Sequence, residues 1–357
     1  RTPVDHFVLA GLEAAGVAPA PEADPVALIR RASLHLAGLP PTPKEVDAFV
    51  ARHRQAPEEA WAALVDRLLA SPAHAEVMAG WWLDLVRYGD SVAYHGDQSR
   101  RFWPYRDWVI KAFRQNLPFD RFATAQLAGD LLPDATWEEA HVAPGYLRLH
   151  MVTAEGGAQV KEYQAIYDAD RIQNFGETFL ASTTGCAQCH DHKYDPWTAA
   201  DYYSLAAAMS DPIEPVVPDQ NRNRWWGPFV FVPQTGEQRE LLRPWKEKWE
   251  AFCAKHPDAP ARAATLYERY RGERRNYDGE PGKELQALVS EAETLGEKVP
   301  TTPTVVRRSE PRTVRLLPRG NWMDDSGPVM QGRPPLFLTG GAPPEGPSDR
   351  LALASWV

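Results

Sequence analysis

Between residues 4 and 209, apolar side chains return every three or four positions, in short blocks separated by prolines and polar turns. That is the period of amphipathic helices. Residues 4–14 and 25–37 form the first two blocks. Thr42-Pro43-Lys44-Glu45 is a capping box with proline at the first helical position, and it opens a third helix through about Arg52. Residues 58–70 put Trp61, Leu64, Val65, Leu68 and Leu69 on one face. Ser71-Pro72 then starts a helix carrying Val77, Trp81, Trp82, Leu85 and Val86. Helices are predicted over 104–113 and 119–128, divided by Asn116-Leu117-Pro118. A longer one spans 161–183, with Tyr163, Ile166, Tyr167, Phe175 and Phe179 at helical spacing and Gly185 placed to end it. Thr198, with Asp201 three residues later, caps one more helix through about Met209.

Beyond residue 210 the pattern changes. Residues 211–235 are a connection rich in Pro and Asn. Residues 237–297 are charged and helix-prone, interrupted at His256-Pro257 and at Asp278-Gly279, as in a helical hairpin or protruding arm. Alternation in Thr313–Leu317 and Pro335–Leu338 predicts strands around a Gly-rich turn region. Ser348 is placed to cap a helix that reaches Val357 with no stop signal, and the chain opens at Arg1 without a starting Met. The sequence therefore reads as part of a longer polypeptide, and the remainder of that polypeptide, or a second chain, is an expected partner.

Composition narrows the function classes. A chain of 357 residues, 43% hydrophobic, can bury substantial cores. The net charge of −9 and the dispersed basic residues argue against a nucleic-acid surface. No apolar run approaches the roughly 18 residues that suggest a membrane-spanning helix. Thirty-three prolines and 13 tryptophans fit a loop-heavy secreted protein better than a repeat or coiled coil. Only three cysteines are present, too few for a disulfide scaffold, and two of them fall in Cys186-Ala187-Gln188-Cys189-His190.

This Cys-x-x-Cys-His pattern has a specific logic. Two thiols about one turn apart can add to the two vinyl groups of a haem, and the following imidazole can ligate its iron. A structural zinc site would want a second ligand pair, but Cys253 stands alone. A thioredoxin-like pair would want a βαβ setting, and this region is helical in pattern. A coincidental match at a buried helix end is the remaining alternative. The expected cofactor is one covalent haem c with its iron, held by Cys186, Cys189 and His190.

Other polar residues suggest roles around such a centre. His150 is a candidate second iron ligand alongside His95, Met78, Met151 and Met209. Arg171 could hold a haem propionate or an internal carboxylate. In the loop Asp191–Pro196, His192, Lys193 and Asp195 are the candidate catalytic groups, and a carboxylate there could accept the His190 N–H. Trp81, Trp82, Trp103 and Trp108 fit a core, or a platform for sugar rings.

Longer segments carry a resemblance. They include Leu36-Ala-Gly-Leu-Pro-Pro-Thr-Pro43, Trp82-Leu-Asp-Leu-Val-Arg-Tyr88, Trp103-Pro-Tyr-Arg-Asp-Trp-Val109 and Gln126-Leu-Ala-Gly-Asp-Leu-Leu132. Above all there is Cys186-Ala-Gln-Cys-His-Asp-His-Lys-Tyr-Asp-Pro196, followed by Asp201-Tyr-Tyr203. With these the chain resembles the planctomycete-type cytochrome c-like proteins, large secreted multidomain proteins. Arg319-Gly-Asn321 and Asp349–Trp356 look like the opening of that family's second conserved domain. The resemblance implies export to the periplasm or cell exterior, a bound haem, and a place in polysaccharide breakdown.

The fold class expected is mainly α. An irregular multi-helix c-type haem domain (1–212) is followed by a connection and charged helical insertion (213–305), then a small β-containing segment that begins a second domain (306–357). The function expected is electron transfer or haem-dependent oxidation, with a redox protein, small molecule or carbohydrate as partner. A carbohydrate-binding scaffold with a structural haem and a non-haem metal hydrolase are the alternatives.

Overall fold

The computed structural model describes residues 2–94, 97–214, 216, 228–260, 263, 282–308, 310–342 and 346–357. Thirteen α-helices and one two-stranded sheet are present among these residues, so the fold is mainly α. The chain divides into two compact units, residues 1–78 and 79–357.

The first unit contains α1 (Pro3–Ala14), α2 (Pro25–Ala37), α3 (Pro43–Gln55) and α4 (Pro57–Leu69). Each starts with proline at its first position, where the missing N–H costs nothing. Asp24 caps α2. Thr42 and Glu45 cap α3 reciprocally, as the sequence predicts. Gly38 ends α2 at φ 73°, a left-handed turn that glycine adopts without strain. Ile29, Ala32, Phe49, Ala60, Leu64 and Leu68 form the core between α2, α3 and α4. Helix α1 buries none of its residues, and Phe7 is 81% exposed.

Helix α5 (Pro72–Leu85) spans the division between the units. The second unit is organised around α6 (Trp103–Arg114), α7 (Phe119–Ala128), the 21-residue α9 (Val160–Leu180) and α10 (Ala199–Ala208), with the short α8 (Trp137–His141) beside them. Trp82 and Trp108 pack on Phe122, with ring centroids 4.8 and 5.2 Å away. Gln126, fully buried, accepts hydrogen bonds from Trp82 Nε1 and Tyr105 Oη, so this aromatic cluster keeps its polar atoms satisfied. Trp82 and Trp108 are therefore core residues, while Trp81 is 60% exposed.

After α10 the chain forms β1 (Phe229–Phe231), α11 (Gly236–Lys255), α12 (Gly282–Leu295) and β2 (Thr301–Pro303). The antiparallel pairing of β1 with β2 closes the base of this insertion. Its helices meet through Trp245, which donates to Leu288 O, and through a Lys248–Glu291 ion pair. Helix α11 ends at Lys255 with His256 as its C-cap, at the predicted break, whereas the predicted break at Asp278-Gly279 lies outside the described residues.

Three predictions for the last segment need correction. Residues 313–317 make only an isolated bridge, Arg315 with Val329, and Leu336–Leu338 is a 3-10 turn rather than a strand. Pro334 and Pro335 supply no N–H for a ladder, and Gly340 and Gly341, both at positive φ, turn the chain back so that Gly341 N donates to Leu336 O. The final helix α13 (Arg350–Trp356) is capped by Asp349, not Ser348. It packs on α7 through buried Leu353 and Ala354.

Candidate functional site

The Cys186–His190 segment leaves α9 by a route the sequence did not indicate. The helix ends at Leu180, and Ala181, not Gly185, takes the left-handed conformation at φ 48°. The chain then doubles back against the helix. A Cβ on Gly176 would come within 2.5 Å of Thr184 Cγ2, so glycine is what allows this approach. Thr184 is buried and donates to Ile172 O.

Residues Gly185–Gln188 form a 3-10 turn. Ala187 at its centre is completely buried, which anchors the turn and leaves Cys186, Cys189 and His190 exposed. Both thiols are free. The N–H groups of Cys189 and His190 both donate to Cys186 O, closing the turn around the two cysteines. Tyr203 on α10 donates to Gln188 O at 2.8 Å. Burial pushes that phenol up to about 12, so the hydroxyl stays protonated as the donor.

His190 has a defined orientation. Its Nδ1 lies 2.8 Å from Asp191 O. A carbonyl oxygen can only accept, so Nδ1 carries the hydrogen, and in the neutral ring this leaves the Nε2 lone pair for a metal. The expected carboxylate partner is replaced by this backbone carbonyl. The Asp191 carboxylate instead accepts from Ala199 N at the start of α10.

The candidate catalytic residues share this loop. His192 Nδ1 accepts the N–H groups of Asp195 at 2.9 Å and Tyr194 at 3.3 Å, so that nitrogen organises the loop. His192 N donates to the carbonyl of buried Trp197. Lys193 lies over the Tyr194 ring, and the Asp195 carboxylate is half exposed, 3.3 Å from His192 Nδ1.

Arg171 and His150 belong to another constellation. Arg171 is 2% exposed and bonds Leu147 O, Asp168 and Glu214, an internal ion-pair arrangement. His150, also 2% exposed, stands 3.6 Å from Glu214 and against the Tyr167 ring. Burial, reinforced by Arg171, Arg100, Arg87 and Arg148, pushes His150 well below the usual imidazole range, so the ring is neutral. No hydrogen bond or ion pair among the described residues links either side chain to the Cys186–His190 turn. Of the other proposed ligands, Met209 is a core residue, Met78 is half-buried and Met151 is exposed; His95 lies outside the described residues.

The structure adds neighbours that periodicity did not reveal. Gly320 abuts Cys189, and a cleft of about 670 Å3 is lined by Gln188, Tyr202, Tyr203, Leu317 and Trp322 together with Arg312 and Arg315. Among the described residues no three His, Cys, Asp or Glu side chains converge as a metal site. No helix among them is long and apolar enough to cross a membrane.

Residues 3–212 match the model of the PSCyt2 family, described as a protein of unknown function (DUF1549). The chain belongs to the PSCyt2 family. No curated protein matches it, and no solved structure does. The PSCyt2 match includes Cys186–His190 and stops short of the insertion and of residues 312–325.

Proposed function

We propose that this PSCyt2 protein carries one haem c, joined through Cys186 and Cys189 and ligated by His190, and acts in electron transfer or haem-dependent oxidation in the periplasm or outside the cell. The observation that carries this reading is the turn itself. Two free, exposed thiols bracket a buried alanine, and the next residue offers an imidazole nitrogen fixed in the metal-binding tautomer. The donor set fits the group. It asks for two thiols and one axial nitrogen, not for a converging cluster of three or more protein ligands.

A haem held there supplies a one-electron couple. The protein's part is positional. Ala187 pins the turn, Tyr203 holds Gln188, and Asp191 O keeps the His190 ring from rotating. The redox partner is then a protein or small molecule, including a carbohydrate, that reaches this exposed edge.

The test is expression with a periplasmic c-type maturation system, followed by spectra of oxidised and dithionite-reduced protein and acid–acetone extraction. A sharp reduced α-band with colour retained on the protein is expected, and it should be lost in the Cys186→Ala/Cys189→Ala double variant. A colourless parent protein overturns the reading.

A further inference from the structure

The geometry points to residues 312–325 as the second wall of the haem site: Gly320 keeps open the space in which Cys189 forms its thioether, and Arg315 receives a propionate in the adjoining cleft. This rests on the haem reading above and assigns roles to residues beyond the PSCyt2 match.

Gly320 supplies the first observation. Arg319 and Gly320 lie at φ 53° and 69°, two consecutive left-handed residues in the turn Pro318–Asn321. A Cβ at Gly320 would stand 2.8 Å from Cys189 Sγ and 3.6 Å from Gln188 O. A side chain at residue 320 would therefore press on the thiol, at a position whose left-handed φ already favours glycine. The reaction at that sulfur needs room. The Cys189 S–H adds across a haem vinyl group, sulfur bonds one vinyl carbon and the thiol hydrogen goes to the other, with no oxidant or reductant consumed.

The second observation is the cleft. Its volume, about 670 Å3, falls within the about 300–1,000 Å3 range of small-molecule and cofactor sites. Gln188, the residue before Cys189 and itself in contact range of Gly320, lines it. Tyr202, Tyr203, Leu317 and Trp322 supply apolar wall, as a macrocycle requires.

Charge at its edge is unbalanced in one place. Lys161 pairs with Asp325 at 2.7 Å and Arg312 with Asp168 at 2.8 Å. Arg315 gives one amino group to Gly327 O and has no carboxylate partner among the described residues. A propionate would supply that partner. The wall is held in place by the core: Val314 is buried, and Arg333 and Leu336 N both bond Asp201 of α10.

The experiment matures the parent, G320A, G340A, R315Q and R243Q chains together. Gly340 has the same φ of 69° with open space around it, so G340A reproduces the backbone strain without the approach to sulfur. Intact mass and alkylation mapping are expected to show both cysteines blocked in the parent and in G340A. In G320A, Cys189 should become alkylatable in most molecules while Cys186 stays linked, and the reduced pyridine haemochrome band should move to longer wavelength. R315Q should lower the midpoint potential, because a cation beside the haem favours the reduced state; R243Q, at an exposed arginine of α11, should not. G320A with both thioethers at the parent level overturns the role of Gly320. An unshifted R315Q potential overturns the role of the cleft, and this readout stands even if G320A fails to fold. A colourless parent overturns both this inference and the haem reading.

Discussion

At the scale of single residues, burial decides chemistry that side-chain identity leaves open. His150 has the chemistry of an iron ligand and instead sits neutral in the interior, surrounded by guanidinium groups. Its folded-state pKa is depressed, so below the unfolded value of about 6.5 the unfolded chain binds a proton that the folded chain refuses. Stability contributed by the neutral ring is thus full above that pH and lost as pH falls, by up to about 1.4 kcal/mol per pH unit. In urea melts at pH 7.5, 6.5 and 5.5, His150→Phe should show a shallower loss than the parent. Parallel slopes would refute this account of the ring. His190 is the opposite case: it is exposed, and only the Asp191 carbonyl defines its tautomer.

At the scale of elements, helix starts were legible because their signals are local. The Thr42–Glu45 and Thr198–Asp201 boxes satisfy orphan N–H groups within one turn, with no need of distant residues. Helix ends were less so. Gly185 is the natural stop for α9, yet the chain leaves the helix four residues earlier, at Ala181, and returns with Thr184 against Gly176. That alanine holds a left-handed φ of 48°, which costs a residue with a Cβ roughly 1–2 kcal/mol relative to glycine. Ala181→Gly should stabilise the protein by about 0.5–1 kcal/mol once the added unfolded-state freedom is deducted. A higher midpoint in chemical denaturation is the expected result, and a lower one would mean that the Ala181 methyl contributes packing.

At the scale of the whole molecule, the last helix is tied into the second unit by charge as well as by apolar contact. Arg350 is 1% exposed and bonds Asp130, Asp211 and Leu127 O, groups more than 130 positions away in sequence. Removing Arg350 leaves the Asp130 carboxylate without its cation and Asp211 with Arg307 alone, and breaking a buried pair from one side costs about 3–5 kcal/mol. Arg350→Ala should lose about that much in chemical denaturation and expose residues 336–357 to limited proteolysis. A loss under about 1 kcal/mol would show that α13 is held by Leu353 and Ala354 instead.

The sequence by itself determined the mainly α character and the starts of most helices, and it displays the Cys186–His190 motif on which the haem proposal rests. Each is written in a short window, as a period, a cap or a motif, and depends on contacts within a few residues. Only the tertiary structure decided that Ala187 would be buried and its flanking thiols exposed. It also decided that Arg171 would face Glu214 from inside, and that Gly320 would arrive beside Cys189 from 131 positions further along the chain. Those outcomes follow from which surfaces pack together, and a pairing between distant segments leaves no periodic trace in either of them.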